Sequence, residues 1–251
     1  MIHFVGAGPG APDLITIRGA ALLAAADVVV YAGSLVNPQV LAYISAHCEV
    51  HDSAGMTLEA ILAVMLEADA AGKKVVRLHT GDPSLYGATG EQMEALDRAG
   101  VSYEVTPGVS SFLGAAASLK KEYTVPGGSQ TVILTRMAGR TPVPEKEDIT
   151  LLAAHGATLI CFLSASMLPA LCEKLEGGGY APDTPAALVY RATWEEEKIV
   201  LSTVGRLAED AVIHGITKTA LVTVGHFLDT RTSCSQLYDN RFTHGFRKGT
   251  E

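Results

Sequence analysis

The sequence predicts an α/β fold with two α/β domains, the first built on a mostly parallel sheet and the second on a mixed sheet. In the first half, β-branched runs alternate with helix-like segments, the pattern of strands joined by helical crossovers. Later, two strand-like runs are separated only by a short polar segment, which is typical of an antiparallel hairpin. The length of 251 residues suits two domains of ordinary size or one large one, and from the change of pattern we place two domains at 1–118 and 119–251.

Composition limits the function classes. Hydrophobic residues make up 48% of the chain, enough for sizeable cores, and the net charge of -8 argues against a protein that coats nucleic acid. The apolar stretch 19–36 contains Asp27 and two glycines, so we interpret it as a helix followed by a strand and expect no membrane partner. The N-terminus lacks a signal-peptide pattern. Four scattered cysteines without a CxxC pair fit reduced thiols and a cytoplasmic location.

The expected elements of the first domain follow from periodicity and caps. Asn37, Thr57 and Thr89 are typical residues for the start of a helix. The predicted strands are 2–8, 28–33, 73–81 and 102–108. The predicted helices are 13–26, 37–46, 57–71 and 88–99.

At the end of the first domain, a small-residue helix over 110–119 leads into a polar segment, 120–130, that Pro and Gly interrupt. In the second domain the pattern becomes mixed. Strands 186–191 and 198–204 should pair as the hairpin. The other predicted strands are 131–136, 158–163 and 219–225, and the predicted helices are 147–155, 167–176 and 205–214.

Three glycine-rich segments follow strands of the first domain. They read "VGAGPGAPD" (5–13), "LHTGDPSLYG" (78–87) and "TPGVSS" (106–111). The carboxyl ends of parallel strands meet at one edge of a sheet, so these loops should form a ligand site there. Gly81 permits close approach of backbone to a ligand. Asp82, Ser110 and Ser111 are expected either to bind the ligand or to act only as helix caps.

Two common nucleotide sites fit poorly. A dinucleotide-binding fold needs an acidic residue at the end of the second strand, and here that end reads "YAGS" (31–34). A P-loop needs Gly-Lys-Ser/Thr, and no lysine precedes Lys73. An NAD-binding oxidoreductase therefore remains only a remote alternative, and tight turns without any ligand remain another.

Three stretches of the chain resemble the S-adenosylmethionine-dependent tetrapyrrole methyltransferases that act on cobalamin and sirohaem precursors. They are "VGAGPGAPDLITIRGAALLAAADVVVYAGSLV", "LHTGDPSLYG" and "TPGVSS". The resemblance covers essentially the whole chain. The stretches "YAGSLVNPQVL", "SQTVILTR" and "LYDNRFTHGFR" are similar to the precorrin-4 C11-methyltransferase branch, whose anaerobic members use cobalt-precorrin-4. One departure is Gly127-Gly128, where the family carries a bulkier, usually acidic stretch.

The resemblance implies the tetrapyrrole methylase fold, with the methyl donor in an inter-domain cleft and the tetrapyrrole above it. The cofactor would be S-adenosyl-L-methionine, released as S-adenosyl-L-homocysteine, with no metal required. Apolar Leu85 and Leu163 would flank the adenine, and small Ala192 and Ala220 would leave room for it. Carried over position by position, the donor contacts are Pro9, Thr80, Gly81, Asp82, Leu85, Ser110, Ser111, Leu163, Ala192, Thr219 and Ala220.

The tetrapyrrole substrate carries many carboxylates, so arginines should bind it. Arg136, Arg191 and Arg231 are the candidates, because each lies at or near a strand end or loop. No residue is identified as catalytic, since the donor already activates its methyl group. Reaction at C11 of precorrin-4 or cobalt-precorrin-4 would serve cobalamin biosynthesis, and the family and the apolar balance favour a homodimer.

Other activities stay open on sequence alone. A relative in the same family would methylate another tetrapyrrole position, on uroporphyrinogen III, precorrin-2 or precorrin-3B, or a modified histidine of an elongation factor. His47, Glu49 and His51 alternate, so on a strand they would share a face and could imitate a metal triad. The methyl transfer needs no metal, and we therefore expect none there.

Overall fold

The computed structural model describes residues 1–229 and 235–250. The chain divides into two compact units. The first contains Met1–Ala115 together with Arg191–Glu197, and the second contains Ala116–Tyr190 together with Lys198–Glu251. None of the helices in the described part of the chain is long and apolar enough to cross a membrane.

The first unit is built on a five-stranded sheet in the order β3-β2-β4-β1-β5. Every neighbouring pair is parallel, which confirms and sharpens the prediction of a mostly parallel sheet. The edge strand β3 was not among the four predicted strands, because it is short and mostly exposed. The strands are β1 (Ile2–Gly6), β2 (Val28–Tyr31), β3 (Glu49–Asp52), β4 (Val75–His79) and β5 (Tyr103–Thr106).

Helices connect these strands. Thr16 and Thr57 cap α1 and α2 by accepting backbone N–H groups of Gly19 and Ala60. The predicted helix 37–46 is instead a 3₁₀ helix, Pro38–Tyr43, because Pro38 sets only the first turn and the chain leaves the helix at Ile44. The helices are α1 (Ile17–Ala24), α2 (Leu58–Ala70), α3 (Gly90–Ala99) and α4 (Ser111–Leu119), with shorter 3₁₀ turns at Pro12–Leu14 and Ser53–Gly55.

The second unit contains a mixed sheet in the order β6-β7-β10-β8-β9. Strands β6 and β7 are parallel and the remaining pairs are antiparallel, so the predicted β8–β9 hairpin is confirmed. Its strands are β6 (Val132–Arg136), β7 (Thr158–Phe162), β8 (Pro185–Tyr190), β9 (Lys198–Thr203) and β10 (Ala220–Val224). Its helices are α5 (Ile149–Ala153), α6 (Leu168–Gly177) and α7 (Leu207–Ile213), with 3₁₀ turns at Glu145–Glu147, Val204–Arg206, His226–Leu228 and Gln236–Tyr238.

Side chains alternate between the two faces of each sheet, and the buried ones form the apolar cores. In β4 of the first unit, Val76 and Leu78 belong to the apolar cluster that contains α1, whereas Val75 belongs to the one formed with α2 and α3. In the second unit, α5, α6 and α7 pack against one face of the mixed sheet. Gly127, where the sequence departs from the family, lies in a turn with φ of 74°, a backbone angle that favours glycine.

Two polar side chains on β4 are nearly inaccessible. Arg77 donates from Nε to Gln92 Oε1 (3.0 Å) and from Nη1 to the carbonyl of Val30 (3.2 Å). His79 is 4% exposed, its ring stacks on Phe4, and its Nε2 has no hydrogen-bond partner. Burial, assisted by the charge of Arg77, lowers the pKa of His79 to about 3, so its imidazole is neutral in the folded protein.

The neutral state of His79 predicts a pH dependence of stability. Between pH 6.5 and about 3 the unfolded chain binds a proton at His79 that the folded chain does not, so this contribution is complete above pH 6.5 and is lost as pH falls. One proton corresponds to a slope of about 1.4 kcal/mol per pH unit. Replacing His79→Leu should flatten the decline in unfolding free energy between pH 6 and pH 4, measured by urea titration.

Thr57→Val provides the control. It changes no ionisable side chain and should leave the slope as in the wild type. An unchanged slope in His79→Leu would show that His79 takes up its proton in the folded state as well.

Candidate functional site

The glycine loops predicted to meet at the carboxyl edge of the parallel sheet do meet there. Gly8 and Gly81 form an antiparallel bridge, with Gly81 N–H donating to Gly8 O (2.9 Å) and Gly8 N–H donating to Gly81 O (3.2 Å). Ala7 N–H donates to the carbonyl of His79 at 2.7 Å. Both glycines have positive φ, 84° and 58°. The loops after β1 and β4 are therefore held together by their backbones.

The loop after β5 joins the same place through glycine contacts. A Cβ on Gly108 would lie 2.1 Å from the carbonyl oxygen of Gly81 and 2.7 Å from Cα of Gly6. A Cβ on Gly6 would lie 2.6 Å from Cα of Gly108. No side chain fits at such distances. We call Gly6, Gly81 and Gly108 the glycine junction.

Asp82 ties the loops after β4 and β5. Its Oδ2 accepts the N–H of Gly108 at 2.8 Å, and its Oδ1 accepts the N–H (2.9 Å) and hydroxyl (2.5 Å) of Ser84. Burial opposes the charged carboxylate, but the hydrogen bonds from Ser84 and Gly108 outweigh it and lower the pKa of Asp82. Asp82 is therefore an anion at neutral pH that organises two of the three loops.

The other predicted contacts of the first unit lie on these loops. Thr80 donates its hydroxyl to the carbonyl of Leu35 (2.8 Å), which adds the loop after β2 to the assembly. Ser110 is buried, and its Cα would lie 3.4 Å from a Cβ on Gly81. Pro9 is buried against Gly114 of α4. Ser111 begins α4, and Leu85 is half-buried in the turn that starts at Asp82.

In the second unit, the predicted contacts share one end of the mixed sheet. Strand β7 ends at Phe162, directly before Leu163, and the antiparallel β10 begins at Ala220, directly after Thr219. Leu163 is 60% exposed, which is unusual for a leucine beside a core strand, whereas Ala220 is 8% exposed and belongs to the apolar core.

Arg136 lies at the same sheet end, paired in register with Phe162. Its guanidinium donates to three carbonyls of the segment that follows β6, those of Met137 (3.3 Å), Thr141 (3.2 Å) and Pro142 (2.7 Å). The arginine thus fixes the backbone of residues 137–142. Arg231 lies outside the described residues.

Arg191 and Ala192 belong to the first unit, in the segment 191–197 that joins β8 to β9 and that we call the 191–197 loop. The guanidinium carbon of Arg191 lies 5.0 Å from the centroid of the Trp194 ring. Its Nη1 lies 3.5 Å from Oε2 of Glu196. Ala192 is buried. The sequence did not indicate that this loop groups with the first unit, because nothing in its composition distinguishes it from an ordinary hairpin loop.

Backbone strain concentrates at the predicted contacts. Within the described residues, seven non-glycine residues have positive φ, and five of them are predicted contacts or adjoin one. Such conformations are costly, persist where the surrounding structure holds them, and cluster at functional sites. The five are Tyr86 beside Leu85, Leu163, Arg191 and Thr193 on either side of Ala192, and Thr219.

Sequence reasoning missed two polar residues of this region. Asn37, expected only as a helix cap, does cap Gln39, and it also donates from Nδ2 to the carbonyl of Gly10 at 2.9 Å while nearly fully buried. Thr193 accepts the N–H of Ala11 at 2.9 Å. Neither has a local sequence signal, because their partners lie 27 and 182 residues away.

Two of the alternating residues of "HCEVH", Glu49 and His51, lie on β3, where Glu49 contacts both His51 and Lys73. His51 Nε2 lies 2.9 Å from Glu49 Oε1, and Lys73 Nζ lies 3.2 Å from Glu49 Oε2. Among the residues described, no group of three or more His, Cys, Asp or Glu side chains is arranged to hold a metal ion.

Two curated relatives match nearly the whole chain. Both are named cobalt-precorrin-4 C(11)-methyltransferase. The protein from Methanocaldococcus jannaschii is 51% identical over 98% of this chain and 96% of its own length. The protein from Priestia megaterium is 48% identical over 100% of this chain and 98% of its own length.

Solved structures agree with this similarity. The X-ray structure of a cobalt precorrin-4 methyltransferase, described as a cobalamin biosynthetic enzyme, matches with a TM-score of 0.89 and 48% identity, covering 91% of this chain and 95% of that one. The uroporphyrin-III C-methyltransferase of Thermus thermophilus, solved with S-adenosyl homocysteine, matches with a TM-score of 0.78 and 28% identity, covering 92% and 99%.

A model of one protein family, described as tetrapyrrole (corrin/porphyrin) methylases, matches residues 1–208. The matched range includes all three glycine loops and both sheets up to β9. The α/β fold predicted for this family is the one observed. The chain therefore belongs to the tetrapyrrole (corrin/porphyrin) methylase family.

Proposed function

We propose that this protein transfers a methyl group from S-adenosyl-L-methionine to C11 of precorrin-4 or cobalt-precorrin-4, a step of cobalamin biosynthesis. The names of the relatives at 48–51% identity support this substrate, since their similarity extends over almost the entire chain. Relatives named precorrin-4 C(11)-methyltransferase, such as that of Mycobacterium tuberculosis at 45% identity over 90% of the chain, support the same carbon with or without cobalt.

The observation that carries the proposal is the glycine junction with its surrounding loops. Three loops meet at the carboxyl edge of a parallel sheet, with their backbones hydrogen-bonded to one another, and they carry Thr80, the anionic Asp82 and the buried Ser110. This chemistry suits a donor that carries hydroxyl, amine and carboxylate groups at once. It provides neither the lysine nor the ribose-binding acid that nucleotide sites use.

The residues of each unit fit the donor in different ways. In the first unit, Thr80, Gly81, Asp82 and Ser110 offer polar groups, while Pro9, Leu85 and Ala192 offer apolar surface. In the second unit, Leu163 exposes its apolar side chain from a strained backbone, beside Thr219 and Ala220. Ser111, at the first position of α4, completes the proposed set of contacts.

When bound, the donor supplies a methyl group activated by its sulfonium. The protein's task is then to hold the two reactants in line and to exclude water, so no general base is required of these residues. We propose that Arg136, Arg191 and Arg231 bind carboxylates of the tetrapyrrole. Arg136 already orders residues 137–142 through three carbonyls, which would give this segment a fixed shape against the substrate.

Reaction at another position of the tetrapyrrole is the alternative. The uroporphyrinogen-III C-methyltransferase of Bacillus subtilis is 31% identical over 92% of this chain. That identity is well below the 51% of the precorrin-4 relative, which favours C11.

We further propose a cytoplasmic homodimer. The exposed apolar side chains of the second unit, Leu201 (71%), Val212 (80%) and Ile213 (65%), support self-association. Sedimentation at micromolar concentration tests the assembly, and a monomer there would contradict it.

Product analysis tests the proposed reaction. The protein is incubated with labelled S-adenosylmethionine and, in parallel, with precorrin-4, cobalt-precorrin-4 and uroporphyrinogen III, and the product is examined by mass spectrometry and NMR. A single added methyl group at C11 is the expected result. Methylation of uroporphyrinogen III instead, or no transfer to any tetrapyrrole, would refute the assignment.

Asp82 provides the first mutational prediction. Asp82→Ala removes the hydrogen bond that ties the loops after β4 and β5 and two more within the loop after β4, and should weaken S-adenosylhomocysteine binding by about 1–3 kcal/mol, measured by calorimetry. Asp82→Asn should lose less, because its amide oxygen can still accept one N–H. Unchanged affinity in a folded Asp82→Ala protein would remove this loop from the donor site.

Arg136 provides the second mutational prediction. Arg136→Ala should raise the KM for the tetrapyrrole about tenfold, since a hydrogen bond to a charged group contributes about 1.5–3 kcal/mol, while affinity for S-adenosylhomocysteine changes little. Arg136→Lys should recover only part of the loss, because an ammonium cannot reproduce the fork of donors. Normal turnover of the alanine variant in steady-state kinetics would restrict Arg136 to a structural role.

A further inference from the structure

The 191–197 loop connects two strands of the second sheet, yet it packs within the first unit. Its contacts there are with the loop after β1, with the 3₁₀ helix Pro38–Tyr43 and with α4. The hydroxyl of Thr193 accepts the N–H of Ala11 at 2.9 Å, and Glu195 Oε1 accepts from Gln39 Nε2 at 3.2 Å. The methyl group of Thr193 would lie 3.3 Å from a Cβ on Gly114. The segment Pro9–Ala11 is thus held between α4 and the 191–197 loop.

Gly10 shows how closely the two loops approach. A Cβ at this position would lie 2.1 Å from Cδ1 and 2.4 Å from Nε1 of Trp194, and 2.7 Å from the carbonyl oxygen of Ala192. Asn37 Nδ2 donates to the carbonyl of Gly10. The φ of Gly10 is not in the positive region. Glycine is required here by the lack of space, not by backbone conformation.

The loop reaches this position in a strained conformation. Arg191 and Thr193 have φ of 46° and 69°, which non-glycine residues rarely adopt. Glu197 accepts the N–H of Thr193 at 2.5 Å, and Trp194 N–H donates to Arg191 O at 3.0 Å. Ala192, a proposed donor contact, lies between the two strained residues. The contacts of Thr193 therefore set the position of Ala192 and of Pro9 together.

We propose that Thr193 is a positioning residue for the methyl donor: its hydroxyl fastens the 191–197 loop to the backbone of Ala11 and so holds Pro9 and Ala192 in their binding arrangement. The inference rests on the proposed function, because it assigns Thr193 a role in binding the methyl donor. Thr193 need not touch the donor. Without the hydroxyl, the N–H of Ala11 loses its partner and the strained loop loses one of its constraints.

Three substitutions separate this role from general stability. Thr193→Val keeps both γ positions but removes the acceptor, and should weaken S-adenosylhomocysteine binding about three- to tenfold and raise the KM for S-adenosylmethionine similarly. Thr193→Ser keeps the acceptor and should bind within about twofold of the wild type. Thr57→Val removes a comparable cap on α2 and should lower only the melting temperature.

Trp194 gives a readout that does not depend on activity. It is the only tryptophan in the chain, so its fluorescence reports contact between the 191–197 loop and Gly10. Thr193→Val should shift the emission to the red and increase quenching by iodide, whereas Thr193→Ser should not. Gly10→Ala, which places a Cβ against the indole, should produce the same shift and reduce S-adenosylhomocysteine affinity at least tenfold.

The outcomes separate a failure of the proposed function from a failure of the role assigned to Thr193. If the wild-type protein does not bind S-adenosylhomocysteine, the proposed function fails. If the wild type binds but a folded Thr193→Val binds equally well with unchanged Trp194 emission, the role of Thr193 is wrong while the function stands. Should Thr193→Val fail to fold, Gly10→Ala decides: normal affinity in that variant would overturn the inference.

Discussion

The first unit depends on one close approach, in which the backbones of Gly6, Gly81 and Gly108 pack with no space for a side chain. Parallel strands bring their carboxyl ends to one edge, but ordinary side chains would keep the loops apart. Glycine removes that obstacle, and Gly81 also supplies the left-handed φ that its bridge to Gly8 requires. Asp82 then links the loops after β4 and β5 through the N–H of Gly108.

This constraint accounts for the character of the proposed donor site. Because the backbones of the loops bond to one another, they fix the positions of the short polar side chains that the loops carry, such as those of Thr80, Asp82 and Ser110. Backbone strain occurs at Leu163, Thr193 and Thr219, which have positive φ and are proposed contacts or adjoin one. A methyl transfer that needs positioning more than acid–base chemistry suits such a rigid, backbone-rich site.

Much of the fold was predictable, because periodicity and glycine positions are local signals. The alternation of elements, the β8–β9 hairpin and the meeting of three glycine loops followed from them. The exposed edge strand β3 lacked a buried face, and the attachment of the 191–197 loop to the first unit depends on Thr193 and Ala11, which are 182 residues apart. The carbonyls that accept hydrogen bonds from Arg136 could not be predicted from the sequence either, since the partners of this guanidinium depend on how residues 137–142 fold.

The most direct test of the account is the affinity of Gly108→Ala for S-adenosylhomocysteine, measured by calorimetry beside Gly90→Ala. Gly90 lies in α3 with open space around it, so its alanine variant should bind like the wild type. A Cβ on Gly108 forces the loops after β1, β4 and β5 apart, and we expect binding to fall at least tenfold in a protein that keeps its helical circular dichroism. Equal affinities for the two variants would contradict the claim that the glycine junction builds the donor site.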